Sequence, residues 1–380
     1  MSLLLNEEQR MLRDSAHEFL ATRVPVSALR SLRDRRDERG YDPATWRDIA
    51  ALGWPAAALP EACGGHGIGY QGLGAVFEEI GRRLAATPLL ATVVLGAGLL
   101  VQAGNQAQRD RWLAGIASGQ ALLALALEET PRHDPTQVAL RATRRLDRWQ
   151  LDGEKQFVLD GHVADALVVV ARTSGVPGHR SGLSLFLVEP RVSRGVQVER
   201  TWMIDSRNAA RIRFDGVQVD DAAVVAAPDA AFDVLDRVLD RARACIAAEL
   251  LGVIGEAFDR TVAYLKERVQ FDAPIGSFQA LQHRAARLYV EIELLRSCVA
   301  AALEAIDADQ HDAAMLASLA KARASDLSER ALNEAVQLHG GVGVTDTLDI
   351  GLFLKRARVL QQTFGDGPYH RDRYAHLRGF

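Results

Sequence analysis

Hydrophobic and polar residues follow three different patterns along the chain. Over residues 1–119, apolar positions recur at helical steps with charged residues between them, which predicts an all-helical segment. Over residues 120–227, short apolar runs lie between turn residues, which predicts a small β-domain built as a barrel or sandwich. Over residues 228–380 the helical period returns and continues to the end. These three ranges are the predicted domains, and the predicted fold class is α+β.

The apolar runs also predict individual elements. In the β-domain, the expected strands cover residues 122–127, 149–151, 166–171, 183–187, 196–198 and 210–214. In the last domain, an apolar helical face over residues 235–257 is followed by helical patterns over residues 278–306, 313–338 and 348–361. Four helices in this order predict a C-terminal four-helix bundle.

Composition and charge exclude several classes of protein. A formal net charge of -4, with both signs interspersed, argues against a nucleic-acid partner. The longest apolar stretch, residues 89–101, is shorter than the roughly 20 residues that cross a bilayer, so we interpret it as a buried helix. Three cysteines without CxxC spacing predict neither a disulfide framework nor a metal site. With no secretory signal pattern at the start, these features predict a cytoplasmic protein without a membrane partner.

Two segments in the last third carry chemistry suited to a large, flat, anionic cofactor. They are residues 268–279, RVQFDAPIGSFQ, and residues 337–343, QLHGGVG. A guanidinium can pair with pyrophosphate oxygens, and amides can hydrogen-bond a heterocycle. Adjacent glycines let the backbone approach a ligand closely. We interpret His339, within the second segment, as a structural hydrogen-bond donor rather than a catalytic base or metal ligand.

These segments resemble the two FAD-contacting segments of the acyl-CoA dehydrogenase family. The motifs LGW at 52–54 and EEIGR at 78–82 also occur in the order that the family's N-terminal domain uses. The resemblance implies an α-domain, a β-domain and a second α-domain, with FAD as cofactor and an acyl-CoA as substrate. It also implies an electron-transfer flavoprotein as redox partner.

In the family, the adenine half of FAD is held by residues of these two segments from a neighbouring subunit. The resemblance carries the contacts to six residues: Arg268 on the pyrophosphate, Phe271 and Gln279 on the nucleotide half, and Gln337, Gly340 and Gly341 at the opposite end of that site.

The flavin-side segments of the family are altered in this chain. Residues 127–135, LEETPRHDP, keep Glu129 but lack the family's Gly-Ser pair. In residues 155–161, KQFVLDG, Phe157 replaces the usual tryptophan ring, and Leu159 cannot supply the usual hydroxyl hydrogen bond.

The catalytic base of the family is altered as well. The resemblance places the family's two alternative glutamate positions at Phe364 and Ala242, and neither side chain can accept an α-proton. Asp366 is the candidate replacement, and the alternative is that Asp366 caps a helix starting near Pro368. Glu249 lies two turns after Ala242 and is displaced by roughly 10 Å along the helix, so we predict a buried ion pair with an arginine for it.

Three functions fit this pattern. The first is a heteromeric FAD-dependent acyl-CoA dehydrogenase, in which this chain shares the cofactor and active site with another chain of the family. The second is a homomeric dehydrogenase that uses Asp366 or another base. The third is a non-catalytic assembly protein with the same fold, which the retained Arg268 and glycine pair disfavour.

Overall fold

The computed structural model describes residues 5–380, and contacts between Cα atoms divide the chain into two compact units. Unit 1 comprises the chain up to Ser31 together with Tyr70–Ala85 and Arg243–Phe380. Unit 2 comprises Leu32–Gly69 and Ala86–Ala242. The helical segment at the start of the chain therefore contributes to both units, because an amphipathic helix buries its apolar face against whichever element is adjacent in space.

Unit 2 is built around one mixed β-sheet, which confirms the predicted β-domain. Its strands are β1 (Leu123–Ala126), β2 (Arg141–Arg145), β3 (Arg148–Leu159), β4 (Ala166–Arg172), β5 (Leu183–Val188), β6 (Val196–Trp202), β7 (Asn208–Asp220) and β8 (Val224–Val225). The strand order is β6-β7-β3-β2-β4-β5-β8, and β1 pairs with β4. β4 runs parallel to β1 and β2, whereas the other pairs are antiparallel. Every residue of β4 is buried, which explains its continuous apolar run.

The apolar runs did not predict β2. Its sequence RATRR has one buried side chain, Ala142, which pairs with Leu151 of β3. A strand with charged side chains on its solvent face carries no apolar run, so hydrophobicity alone could not reveal it.

The helices of unit 2 include the predicted buried helix of residues 89–101. They are α3 (Pro43–Ala51), a π-helical segment Leu90–Ala97 that continues into α5 (Gly98–Ala103), and α6 (Gln106–Ala117). The segment Leu90–Ala97 is buried throughout. Within residues 5–380, no helix has the length and apolar character needed to cross a membrane.

Unit 1 is helical. Its helices are α1 (Glu7–Arg23), α4 (Gly69–Arg83), α7 (Phe232–Glu267, which begins in unit 2), α8 (Gln279–Asp307), α9 (Ala313–His339), α10 (Ile350–Gln362) and α11 (Gly367–Leu377), and α2 (Val26–Asp34) leaves unit 1 after Ser31. The four predicted C-terminal helices are confirmed. The fifth, α11, adds to the predicted bundle, and its polar sequence GPYHRDRYAHL explains why an apolar pattern missed it.

Helices α4 and α7 meet backbone to backbone at two glycines. A Cβ atom added at Gly81 would lie 2.1 Å from the Glu249 carbonyl oxygen, and one added at Gly252 would lie 1.9 Å from the Glu78 carbonyl oxygen. Both distances are far below van der Waals contact, so each helix requires a glycine where it faces the other. This reciprocal contact fixes how closely the two helices approach.

We expect Gly252→Ala to destabilise the protein. The new methyl group meets a backbone carbonyl that cannot rotate away, and overpacking of this kind costs about 1–3 kcal/mol of unfolding free energy or more. Gly351→Ala in α10 is the matched control, because no atom lies within 4 Å of its added Cβ. Urea denaturation followed by circular dichroism measures both variants. Equal urea midpoints for the two variants would contradict the close approach of α4 and α7.

Candidate functional site

The first of the two candidate FAD-contacting segments, residues 268–279, begins where α7 ends. Arg268 is followed by a two-strand hairpin, β9 (Val269–Gln270) and β10 (Ala273–Pro274), and its carbonyl accepts a hydrogen bond from the Ile275 amide at 2.8 Å. The two turn residues, Phe271 and Asp272, have φ of 53° and 61°. Positive φ at both central residues is typical of the tight hairpin turns that match strand twist. This turn projects the Phe271 ring away from the protein.

The three residues of this segment that are predicted to contact the cofactor are all exposed. Phe271 is 89% exposed, and its ring makes an edge-type contact with Phe278 at a centroid distance of 6.2 Å. Gln279 is exposed at the first turn of α8. The Arg268 guanidinium is exposed and has no hydrogen-bond or ion-pair partner among residues 5–380. An exposed guanidinium with free donors is able to bind a phosphate oxygen pair.

The second segment continues α9. Gln337 is exposed in the last turn of the helix, and Gly340 follows with a φ of 64°. No atom lies within 4 Å of a Cβ added at Gly340 or Gly341. The backbone of this glycine pair therefore faces open space, where a flat ligand or another chain can approach closely.

A stacked ring pair, in which Tyr264 is partly buried and His339 is buried, connects the two segments. The Tyr264 ring stacks on the His339 ring with centroids 4.5 Å apart, and Tyr264 Oη donates to the His339 carbonyl at 3.4 Å. His339 Nδ1 donates to the Ala335 carbonyl at 2.8 Å, in agreement with its predicted structural role. Tyr264 lies one turn before Arg268, whose amide donates to its carbonyl, and His339 directly precedes Gly340. The stack thus links the helix ends from which both segments start.

The third part of the candidate site is the turn of residues 363–367 between α10 and α11, here named the 363–367 turn. Phe364 is 7% exposed and has a φ of 54°, and Gly365 has a φ of 109°. Asp366 is the N-cap of α11, and its carboxylate accepts the Tyr369 amide at 2.9 Å. The capping interpretation of Asp366 accounts for this geometry, because the carboxylate is directed at the first turn of its own helix.

The carboxylate of Glu249 lies in the predicted ion pair. Glu249 is 1% exposed, and its Oε1 lies 2.7 Å from Nη2 and 2.8 Å from Nε of Arg356 in α10. Both side chains are buried, and an isolated charge at either position would be destabilising. Pairing gives each charge a partner of opposite sign. Glu249 is therefore a packing residue of unit 1.

In unit 2, residues 127–135 and 155–161, which correspond to the family's flavin-side segments, are joined by a buried ion pair that the sequence did not predict. Lys155 of β3 is fully buried, and its Nζ donates to Glu129 Oε1 at 2.7 Å and to the Leu127 carbonyl at 2.9 Å. Burial lowers the pKa of Lys155, and the Glu129 carboxylate opposes that shift. Glu129 also accepts the amides of Ala139 and Leu140 at 2.6 and 3.0 Å. Its carboxylate therefore holds the β1–β2 connection in place.

A bulge in β3 presents Phe157 to solvent. The register with β7 shifts between Lys155 and Val158, and Phe157 has a φ of 51°. Phe157 is 44% exposed, whereas its neighbours in the strand, Gln156 and Val158, are partly buried and buried respectively. Bulges of this kind redirect a side chain, so β3 offers an aromatic face where the resemblance implies a flavin contact.

Three family models match the chain in sequence order. The model described as the N-terminal domain of acyl-CoA dehydrogenase matches residues 6–120, the middle-domain model matches residues 124–217, and the C-terminal-domain model matches residues 232–376.

Individual relatives match over almost the full length. The acyl-CoA dehydrogenase IpdE2 of Mycobacterium tuberculosis is 32% identical over 352 residues, covering 92% of this chain and 91% of the relative. A solved variant of the Tcur3481-Tcur3483 steroid ACAD is 32% identical with a TM-score of 0.88, covering 99% of each chain. The solved ChsE4-ChsE5 complex of Mycobacterium tuberculosis is 27% identical with a TM-score of 0.90, covering 100% of this chain and 99% of the other.

We expect removal of one partner of the Glu249–Arg356 pair to be strongly destabilising. Arg356→Met leaves a buried carboxylate uncompensated, which costs about 3–5 kcal/mol of unfolding free energy. Adding Glu249→Gln to that variant removes the unpaired charge and is expected to restore part of the loss.

Arg358→Ala is the control for this pair. Arg358 lies on the same helix and pairs with exposed Glu329 at 3.2 Å, so its loss changes stability by about 1 kcal/mol or less. Thermal unfolding of the four proteins measures the effect. If Arg356→Met and Arg358→Ala lost the same stability, the buried pair would stabilise the protein no more than the exposed pair does.

Proposed function

Because the chain belongs to the acyl-CoA dehydrogenase family of FAD-dependent flavoproteins, we propose that it is one subunit of a heteromeric acyl-CoA dehydrogenase. In this proposal, the chain contributes contacts to the nucleotide half of FAD. A second, homologous chain contributes the surroundings of the reactive ring and the catalytic base. The substrate is an acyl-CoA thioester, and an electron-transfer flavoprotein accepts the electrons.

The observation that carries the proposal is the exposure of the two candidate FAD-contacting segments, residues 268–279 and 337–343. Arg268, Phe271 and Gln279 are exposed, and so are Gln337 and the glycine pair that follows it. Within residues 5–380, the Arg268 guanidinium has no hydrogen-bond or ion-pair partner, and the glycines have open space beside them. Free donors, an unpacked aromatic ring and accessible backbone together fit the pyrophosphate and nucleotide of FAD.

The reaction explains why a second chain is required. Desaturation removes a proton from the α-carbon and a hydride from the β-carbon, so a base must face the substrate opposite the flavin, which supplies the hydride acceptor. The two positions that the resemblance assigns to the base hold Phe364 and Ala242. Asp366 caps α11 and Glu249 pairs with Arg356, so both carboxylates have other roles. These observations favour a base from the partner.

The comparisons support an assembly of two kinds of chain. Two solved structures similar to this chain over its whole length are named for pairs of proteins, Tcur3481-Tcur3483 and ChsE4-ChsE5. A shared site also explains why the nucleotide contacts are kept while the base positions are not.

We expect Arg268→Ala to weaken FAD binding by the assembled complex. Loss of a charge-assisted contact costs about 1.5–3 kcal/mol, which corresponds to roughly a 10- to 100-fold increase in the dissociation constant. Arg194→Ala is the matched control, because Arg194 is an exposed arginine in the β5–β6 connection of unit 2. Flavin fluorescence during titration of the apo-complex measures both variants. Unchanged affinity after Arg268→Ala would contradict the assigned contact.

The chain purified alone separates the heteromeric from the homomeric function. We expect it to lack stoichiometric FAD and to acquire visible flavin absorbance when a homologous chain that carries the glutamate is added. A yellow protein that oxidises an acyl-CoA by itself would establish a homomeric enzyme. A complex that never binds flavin would favour the assembly-protein alternative.

We expect Asp366→Asn to leave turnover by the complex unchanged. Asparagine caps helices as well as aspartate does, so the variant keeps the α11 N-cap while removing the only acidic group of the 363–367 turn. Thermal unfolding checks the fold, and acyl-CoA oxidation checks the function. A decrease of about 10²- to 10⁴-fold in rate, which is the usual contribution of a general base, would identify Asp366 as the base.

A further inference from the structure

Lys321 is an unusual basic residue in this chain. Only four of the 45 Lys and Arg residues are lysines, at positions 155, 266, 321 and 355. Lys321 lies in the middle of α9 and is fully buried. Unlike Lys155, which pairs with Glu129, Lys321 has no carboxylate within salt-bridge distance among residues 5–380. A buried amine without a counter-ion requires another means of stabilisation.

The hydrogen bonds of Lys321 match a neutral amine. Its Nζ donates to the Gln361 carbonyl at 3.0 Å and to the Gly365 carbonyl at 2.7 Å, and these are its hydrogen-bond acceptors in the described part of the chain. A neutral amine has two N–H donors, whereas an ammonium has three. The ammonium would therefore leave one N–H unsatisfied in a fully buried position. The donor count favours the uncharged form.

The electrostatic surroundings agree with the donor count. Burial lowers the pKa of Lys321 to about 7, and the neighbouring Arg243 guanidinium of α7 adds to this effect. The Asp366 carboxylate opposes it. Three further titratable side chains lie at this turn: His370 of α11 contacts the Phe364 carbonyl, Tyr369 of α11 accepts from Arg243 Nη2 at 3.4 Å, and Asp326 of α9 lies beside Gly367.

The acceptors of Lys321 lie on the two sides of Phe364. Gln361 is in the last turn of α10, and Gly365 directly follows Phe364. The Phe364 carbonyl itself accepts from Arg243 Nε at 3.3 Å and from His370 Nε2 at 3.0 Å. Three buried side chains thus hold the carbonyls of Gln361, Phe364 and Gly365, and between them Phe364 adopts a φ of 54° that L-residues rarely adopt.

We propose that Lys321 is a proton-sensitive positioning residue, a buried amine whose neutral form fixes the 363–367 turn and whose protonation releases it. The inference is independent of the heteromeric function, because it concerns only contacts within unit 1. It assigns a role to α9 in setting the direction of the Phe364 side chain.

The direction of the pH effect follows from proton linkage. When the turn opens and Lys321 reaches water, its pKa returns to the ordinary value of 10.5, so the open form binds more protons than the closed form between about pH 7 and pH 10.5. Opening therefore becomes about tenfold rarer for each pH unit above 7 and is independent of pH below 7. The closed turn loses stability as the pH falls towards 7.

Two measurements on the full chain, in whatever assembly it purifies, test the proposal. Lysine labelled with ¹³C at Cε gives four signals, and the one lost in Lys321→Met is expected to titrate near pH 7. Hydrogen exchange, corrected for the intrinsic rate, is expected to show protection of residues 362–367 rising about tenfold per pH unit from 7 to 9. The same slope is expected to be absent from residues 166–172 in β4.

Variants identify the group that causes the slope. Lys321→Met is expected to abolish the pH dependence of protection in the turn, whereas Lys355→Met, which removes an exposed lysine of α10, is expected to leave it unchanged. If Lys321→Met does not fold, the ¹³C titration of the unaltered protein still tests the inference. A Lys321 signal that remains protonated through pH 9 would overturn it. A slope shared by β4 would also overturn it, because the effect would then be global rather than local to the turn.

Discussion

The backbone contact between α4 and α7 is the constraint on which the packing of unit 1 depends. At Gly81 and Gly252 no side chain separates the helices, and close by Arg82 of α4 pairs with Asp259 of α7 at 3.2 Å. Glu249, one turn before Gly252, meets Arg356 of α10. Glu78, whose carbonyl faces Gly252, directs its carboxylate to α8. Charged side chains beside the crossing therefore join α4 to α7 and connect this pair of helices to α8 and α10.

Buried ionisable side chains provide the second level of organisation, and each joins segments that are distant in sequence. In unit 1, the Glu249–Arg356 pair joins α7 to α10, and Lys321 joins α9 to the turn after α10. In unit 2, Lys155 and Glu129 join β3 to the β1–β2 connection. Desolvation makes such groups costly unless every donor and acceptor is satisfied. Lys155 and Lys321 lie beside irregular backbone, the β1–β2 connection and the 363–367 turn, where apolar packing alone would not select one conformation.

Much of the fold could be predicted from hydrophobic periodicity, and the exceptions have physical causes. α7 and β4 have strong apolar patterns because one face or both faces are buried. β2 and α11 are polar, so their existence depends on pairing and capping that a local pattern does not contain. The Glu249 ion pair was predictable because a carboxylate on an apolar helical face requires a buried partner. The role of Lys321 was not, because its acceptors at residues 361 and 365 are brought to it only by the tertiary fold.

Two phenylalanines in the same rare conformation lie in different parts of the candidate site in unit 1, Phe271 in the first segment and Phe364 in the 363–367 turn. Phe364 and Phe271 have φ values of 54° and 53°, a conformation that costs about 1–3 kcal/mol for such a residue. Phe364 is buried, and surrounding side chains hold its carbonyl, so the interior offsets that cost. Phe271 is 89% exposed, and its ring gains little contact within the chain. The tight turn between β9 and β10 imposes this conformation on Phe271, so its strain is offset by the hairpin and not by burial of the ring.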